Sequence, residues 1–199
     1  MNTRWKSAVL AAGIALCPAL LISRTSLAEP AAAARDAGVW KKHEYSFVYL
    51  GFTSTYSCDG LADKLRILLI AAGARSDAKS QAGACALGYG RPDKFARATL
   101  TFYTLAPAAA TPADSKPVAA VWRPVALSVR SPRELSLGDC EVVEEFRDNV
   151  LPMFTTRNVE DHMTCVPNQL SGSNIDLRFE SLAAPPGATH AAPAQPGGT

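Results

Sequence analysis

A spacing that occurs twice constrains what this chain can fold into. Trp40, in Val39-Trp40, stands eighteen residues before Cys58, and Trp122, in Val121-Trp122, stands eighteen residues before Cys140. Further landmarks follow in the same order: Leu65-Arg66 against Phe146-Arg147, Arg75 against Arg157, Cys85 against Cys165. Each series closes on an L-x-F-x-x-L segment, Leu100/Phe102/Leu105 and Leu177/Phe179/Leu182, and then runs into Ala and Pro. Self-similarity at a fixed interval is the mark of an internal repeat. It predicts two copies of one small unit, at residues 39–107 and 119–183.

The pattern inside each copy gives the unit its form. His43 to Phe52 is rich in aromatic and β-branched residues, and Tyr45, Phe47 and Tyr49 share one face of an extended strand. In the second copy Val125, Leu127 and Val129 alternate with Ala126, Ser128 and Arg130, as in a half-buried strand. Leu61, Leu65, Leu68, Leu69 and Ala72 then recur at the spacing of a helix face, with Asp59 near the start and Gly73 placed to end it. Val143, Phe146, Val150 and Met153 repeat this, with Asp139 as a cap and Pro152 stopping the helix near Leu151. The stretch around each second cysteine and each L-x-F-x-x-L segment read as strands, with long loops at 86–94 and 166–174 between them. The predicted class is therefore α+β: two tandem copies of a small strand-helix-strand-strand repeat, each with one disulfide.

Ala106 to Pro117 is rich in Ala and Pro without apolar periodicity, so 108–118 reads as a linker. Residues 184–199, rich in Ala, Pro and Gly, bury too little to offset their ordering entropy and read as a disordered tail.

The N-terminus carries Arg4 and Lys6, an apolar run from Ala8 to Ile22 and then Ser26-Leu27-Ala28. This three-part pattern is that of a secretory signal peptide over residues 1–28, with Glu29 as the mature start and 29–38 as a spacer. The alternative is an uncleaved anchor, but Pro18 interrupts the run and Arg24 closes it below the usual span of about 20 residues. Removal takes Arg4, Lys6 and Arg24, and no acidic residue, so the net charge moves from +2 to −1. Without a basic run there is no footprint for phosphate backbones, and nucleic acid is not an expected partner.

Cys17 falls in the removed segment, leaving Cys58, Cys85, Cys140 and Cys165. An even set in an exported chain reads as a disulfide framework, because that compartment is oxidising. No C-x-x-C occurs, so neither a thioredoxin-like motif nor a paired-thiolate zinc site has its spacing. Pairing within each copy, Cys58 with Cys85 and Cys140 with Cys165, is preferred because each copy could then fold alone. The cross-copy set Cys58–Cys165 with Cys85–Cys140 also respects the repeat.

The stretch from Ser57-Cys58-Asp59-Gly60-Leu61 to Gly73-Ala74-Arg75 resembles segments of an uncharacterised family of exported, periplasmic proteobacterial proteins. That resemblance implies a periplasmic location and no activity.

Candidate chemistry is sparse. His162 stands three residues before Cys165, but an oxidised cysteine cannot ligate a metal, and His43 beside Lys41 and Lys42 reads as solvated. No metal or cofactor site is expected, and no hydrolase, metalloprotease, P-loop or dinucleotide motif occurs. Glu141, Glu144, Glu145 and Asp148 gather at the start of the second helix, where the helix dipole favours acids. Arg75 and Arg157 read as helix-exit arginines held on the same dipole grounds. The leading functional reading is a non-catalytic extracytoplasmic module, binding or structural, acting on a protein or cell-envelope component. It meets the membrane transiently through its signal peptide. The alternatives are a hydrolytic enzyme with an inter-repeat cleft using the second helix's carboxylates, or a small secreted inhibitor. Val48, Leu50 and Phe52 make the first copy's strand apolar on its second face, which marks them as a candidate interface.

Export sets the first test. Protein recovered from the periplasm should give Glu29 as its first residue by mass spectrometry and should take up no alkylating agent when unfolded without reductant. Soluble cytoplasmic protein retaining Met1 would overturn the assignment.

Overall fold

The computed structural model describes residues 36–83, 91–110 and 116–186. The predicted signal peptide, Cys85 and the end of the tail lie outside these residues. The chain forms strand β1 (Asp36–Leu50), helix α1 (Cys58–Ala72), β2 (Lys79–Ala82) and β3 (Phe95–Pro107), then β4 (Val118–Ser128), α2 (Cys140–Asn149), β5 (Thr156–Asp161) and β6 (Asp176–Ala183). The strands make a six-stranded sheet in the order β2-β3-β1-β4-β6-β5, with antiparallel pairing throughout.

Alternation decides which residues meet. Phe47, Tyr49, Leu100 and Phe102 of the first half and Leu127, Leu177 and Phe179 of the second project to one face. There they join Leu61, Leu65 and Leu68 of α1 and Val142, Val143 and Phe146 of α2 in a continuous core. The spacing in L-x-F-x-x-L has a consequence under period-2 geometry. Its first two residues point to the helices, and its last, Leu105 or Leu182, points to the opposite face. Leu105, Leu182 and Ala120 accordingly form a second, smaller cluster with Trp40 and Trp122 packed against it.

The two halves meet along β1 and β4, where Asp36, Ala37 and Gly38 pair with Ala120, Ala119 and Val118. Residues 36–38 and 118 were expected in a spacer and a linker, whose composition hides this seam; small side chains permit the close approach. A Cβ on Gly38 would come within 3.2 Å of the Ala120 methyl. Helix ends then lock across the seam. Arg123 of β4 donates from Nη2 to the carbonyls of Ile70 and Ala71 at 3.2 and 2.9 Å, satisfying the C-terminus of α1, which has no basic residue in its last turn. Thr104 of β3 donates to the Met153 carbonyl at 3.0 Å, beyond α2.

Local signals differ in detail from the sequence reading. Asp59 stands in the first turn of α1 as expected, Ser57 caps the helix by accepting from the Gly60 N–H, and Gly73 ends it with φ of 108°. Asp139 makes no side-chain cap to α2; its carboxylate turns back to Ser136. Helix α2 does stop before Pro152, passing into a single 3-10 turn at Leu151–Met153. Strand β4 ends at Ser128, so Val129 does not extend its buried face: it is 41 % exposed, beside Arg130 with φ of 66°. Alternation carried the reading past a turn that lacks glycine.

Both sheet edges are interrupted. β2 has four residues, and β5 shifts register between Arg157 and Glu160, where Asn158 takes φ of 52°. A disulfide joins Cys140 and Cys165 across 25 residues, as expected. Cys58 is also disulfide-bonded. Closing a loop of 25 residues restricts the unfolded chain by about 3.5 kcal/mol on the loop-entropy model. Cys140→Ala with Cys165→Ala should therefore lower unfolding free energy in urea by about that amount while leaving far-UV circular dichroism unchanged.

Candidate functional site

Carboxylates of the second half reach into the first. Glu141, the second residue of α2, is 8 % exposed, on the buried side with Val142 and Val143. Its Oε2 accepts from the Tyr49 hydroxyl at 3.1 Å and the Phe52 N–H at 3.0 Å, and its Oε1 accepts from the Thr53 N–H and hydroxyl at 3.1 and 3.0 Å. Two residues earlier, Asp139 accepts from the Tyr56 hydroxyl at 2.5 Å, from Lys64 Nζ at 3.0 Å, and from the Ser136 N–H and hydroxyl at 2.7 and 2.9 Å. The rings of Tyr49 and Tyr56 meet edge to face, 5.0 Å apart. The result is a polar clasp holding the β1–α1 loop onto the start of α2.

The protonation states follow from this surrounding. Burial raises the Glu141 carboxyl, but the hydrogen bonds from Thr53, Phe52 and Tyr49 outweigh it and hold it below its ordinary value. Burial likewise opposes ionisation of Asp139, and the bonds from Tyr56, Ser136 and Lys64 bring it down. Burial and then the adjoining carboxylates push both Tyr49 and Tyr56 well above the ordinary phenol range. Ionised acids facing protonated phenols are fully matched donors and acceptors.

This geometry bears on the paired-carboxylate reading. Glu141 lies between the halves, yet its oxygens are taken by protein donors. Glu144 is half-buried and Asp148 exposed, and both lie against Arg147, at 3.8 and 2.7 Å. Glu145 accepts from the Asn149 side chain at 2.9 Å. None of these four acids lines the shallow depression of about 320 Å³ on the second half's sheet, which lies between Pro124, Ala126, Asn158, Glu160, Arg178 and Glu180.

Other singled-out residues have structural partners that spacing did not reveal. His43 is not solvated as expected: Nε2 lies 2.9 Å from the Thr104 hydroxyl, its ring stacks on Phe102, and burial followed by the Lys41 charge lowers its pKa. His162 is exposed, and the cysteine near it is bonded to Cys140. Arg157 is not at a helix exit but in β5, where its guanidinium lies 4.2 Å from the Trp122 ring centroid and it pairs with Glu180. Arg75 follows α1, stacks over Tyr103 and Trp40 at 3.6 and 5.5 Å, and bonds Asp77 at 2.7 Å. Both arginines thus cover the tryptophans of the two Val-Trp landmarks by cation–π contact, not by helix-dipole attraction.

Val48, Leu50 and Phe52 are 41, 57 and 52 % exposed. Val48 and Leu50 pair with Arg97 and Phe95, so these four side chains share the face away from the helices. Phe52 follows on the loop whose N–H groups Glu141 holds.

Compared with known proteins, the chain matches no family model, no curated protein and no solved structure. Among the described residues, no helix is long and apolar enough to cross a membrane.

The clasp makes two predictions. Glu141→Ala leaves the part-buried Phe52 and Thr53 N–H groups without their acceptor and should cost about 3 kcal/mol in denaturant unfolding. A Cβ on Gly51 would overlap the Tyr49 ring, so Gly51→Ala should destabilise through the same contact, and the double variant should lose less than the sum of the singles. The pH dependence has a definite sign. Folded-state values for Asp139 and Glu141 lie below their ordinary 3.8 and 4.5, so their contribution is present above that range and lost as pH falls through the folded values. Unfolding midpoints measured down from pH 6 should fall less steeply in Glu141→Gln than in the parent.

Proposed function

We propose that the chain is a non-catalytic extracytoplasmic module, built by duplication of a strand-helix-strand-strand unit, that binds a protein or cell-envelope component through the outer face of its first half. The exposed apolar corner of Val48, Leu50 and Phe52 carries this reading, while Glu141 is used internally, Glu144 and Asp148 lie against Arg147, and Glu145 accepts from Asn149. The corresponding surface of the second half is polar: Ser128 ends β4, and Arg178 and Glu180 line β6.

Register supports duplication. Trp40 pairs with Leu105 as Trp122 pairs with Leu182, and Tyr45 pairs with Leu100 as Leu127 pairs with Leu177. At the seam Ala37 pairs with Ala119, each two residues ahead of its Val-Trp landmark, as a two-fold relation between copies requires. Secretion to the periplasm is supported by the N-terminal pattern and by the disulfide between Cys140 and Cys165. Pairing of Cys58 with Cys85 is the matching expectation for the first copy.

The test is Leu50→Ser with Phe52→Ser. Both side chains are more than half exposed, so the variant should unfold within a few degrees of the parent. It should capture envelope components at least about tenfold less well, as expected when interface anchors are removed. Undiminished capture would sink the reading; so would outright unfolding, which would make the two residues core.

A further inference from the structure

We infer that the apolar corner docks on an anionic bilayer surface, an assignment that rests on the outer-face reading above and names its partner. The argument is the combination of shape and charge. β1 stops at Leu50, β3 begins at Phe95, and the chain between β1 and α1 turns back through Gly51, whose N–H donates to the Lys94 carbonyl at 2.7 Å. Leu50 and Phe52, 57 and 52 % exposed, therefore lie at the end of a strand pair, and neither lines the depression on the second half's sheet. A peptide partner needs pockets for its side chains; protruding aliphatic and aromatic groups suit insertion among acyl chains at an interface.

The charge beside the corner is predominantly positive. The stretch from Arg91 to Arg97 contributes Arg91, Lys94 and Arg97, all exposed, against a single acid, Asp93. Arg97 lies opposite Val48 and places its guanidinium 4.9 Å from the Phe95 ring centroid, so cation and apolar group occupy one patch. Glu44, farther along the same face of β1, is neutralised by Lys42. A mature chain of net charge −1 thus places positive charge beside Leu50 and Phe52, two of its most exposed apolar side chains. Apolar insertion with basic residues attracted to anionic headgroups is the combination that holds peripheral proteins to bilayers.

Sedimentation with vesicles tests this, using the protein purified from the extracytoplasmic fraction. Phosphatidylglycerol-containing vesicles should bind it about tenfold more tightly than vesicles of phosphatidylcholine alone, with the difference shrinking as salt rises. Leu50→Ser/Phe52→Ser and Lys94→Glu/Arg97→Glu should each weaken binding about tenfold, at unchanged thermal stability. Anything residues 8–22 contribute, if retained, is common to parent and variants. Equal binding to both vesicle types, or variants that bind like the parent, would overturn the lipid assignment. If vesicles do not bind but Leu50→Ser/Phe52→Ser still abolishes capture of an envelope protein, the assignment falls and the outer-face reading stands. If capture is also unchanged, both fall.

Discussion

The Glu141 carboxylate fixes the β1–α1 loop against the second half of the fold. It sits in the first turn of α2, where an acid is already favoured by the helix N-terminus, and spends that charge on donors from the opposite half. Without it the part-buried Phe52 and Thr53 N–H groups would lose the acceptor that holds their loop. Because the same loop carries the exposed Phe52 ring, the clasp sets where the outer apolar corner stands. Asp139 and Lys64 make a second polar connection, to α1, which meets the first through the edge-to-face contact of Tyr56 with Tyr49.

Beneath it lies a division of labour between the faces of the sheet. One face is closed by two helices over a common core, and the other has a small central cluster of Leu105, Ala120 and Leu182 beneath Trp40 and Trp122. Arg75 and Arg157 lie over those tryptophans from opposite edges of the sheet. Aromatic bulk over small side chains, with guanidinium groups over the rings, lets the seam between β1 and β4 pair through alanine and glycine.

Much of the fold was legible because it depended on periodicity. Leu61 to Ala72, Tyr45 to Tyr49 and the two L-x-F-x-x-L segments announce their faces by spacing, and the α1 stop was readable from Gly73. The partners of polar side chains were not legible, because they come from residues distant in sequence: Glu141 meets Tyr49 and Thr53, and His43 meets Thr104. A sharper signal for Glu141 existed, since it sits between Cys140 and Val142 at the start of an apolar helix face, where a carboxylate needs donors. The seam at 36–38 escaped because alanine and glycine carry little hydrophobic periodicity. Val129 was misplaced because Arg130 adopts a left-handed conformation without the usual glycine.

The broken sheet margins limit how copies of the molecule can assemble. An unpaired strand invites another chain to add to it, but β2 offers four residues and β5 is bent at Asn158. Ribbon-like growth from one molecule to the next therefore lacks a straight template at either end. If molecules crowd onto a surface, contact through the broad face leaves each copy separately foldable and releasable, whereas strand-to-strand addition would trap them in a common sheet. Edges of this kind disfavour polymerisation by strand addition.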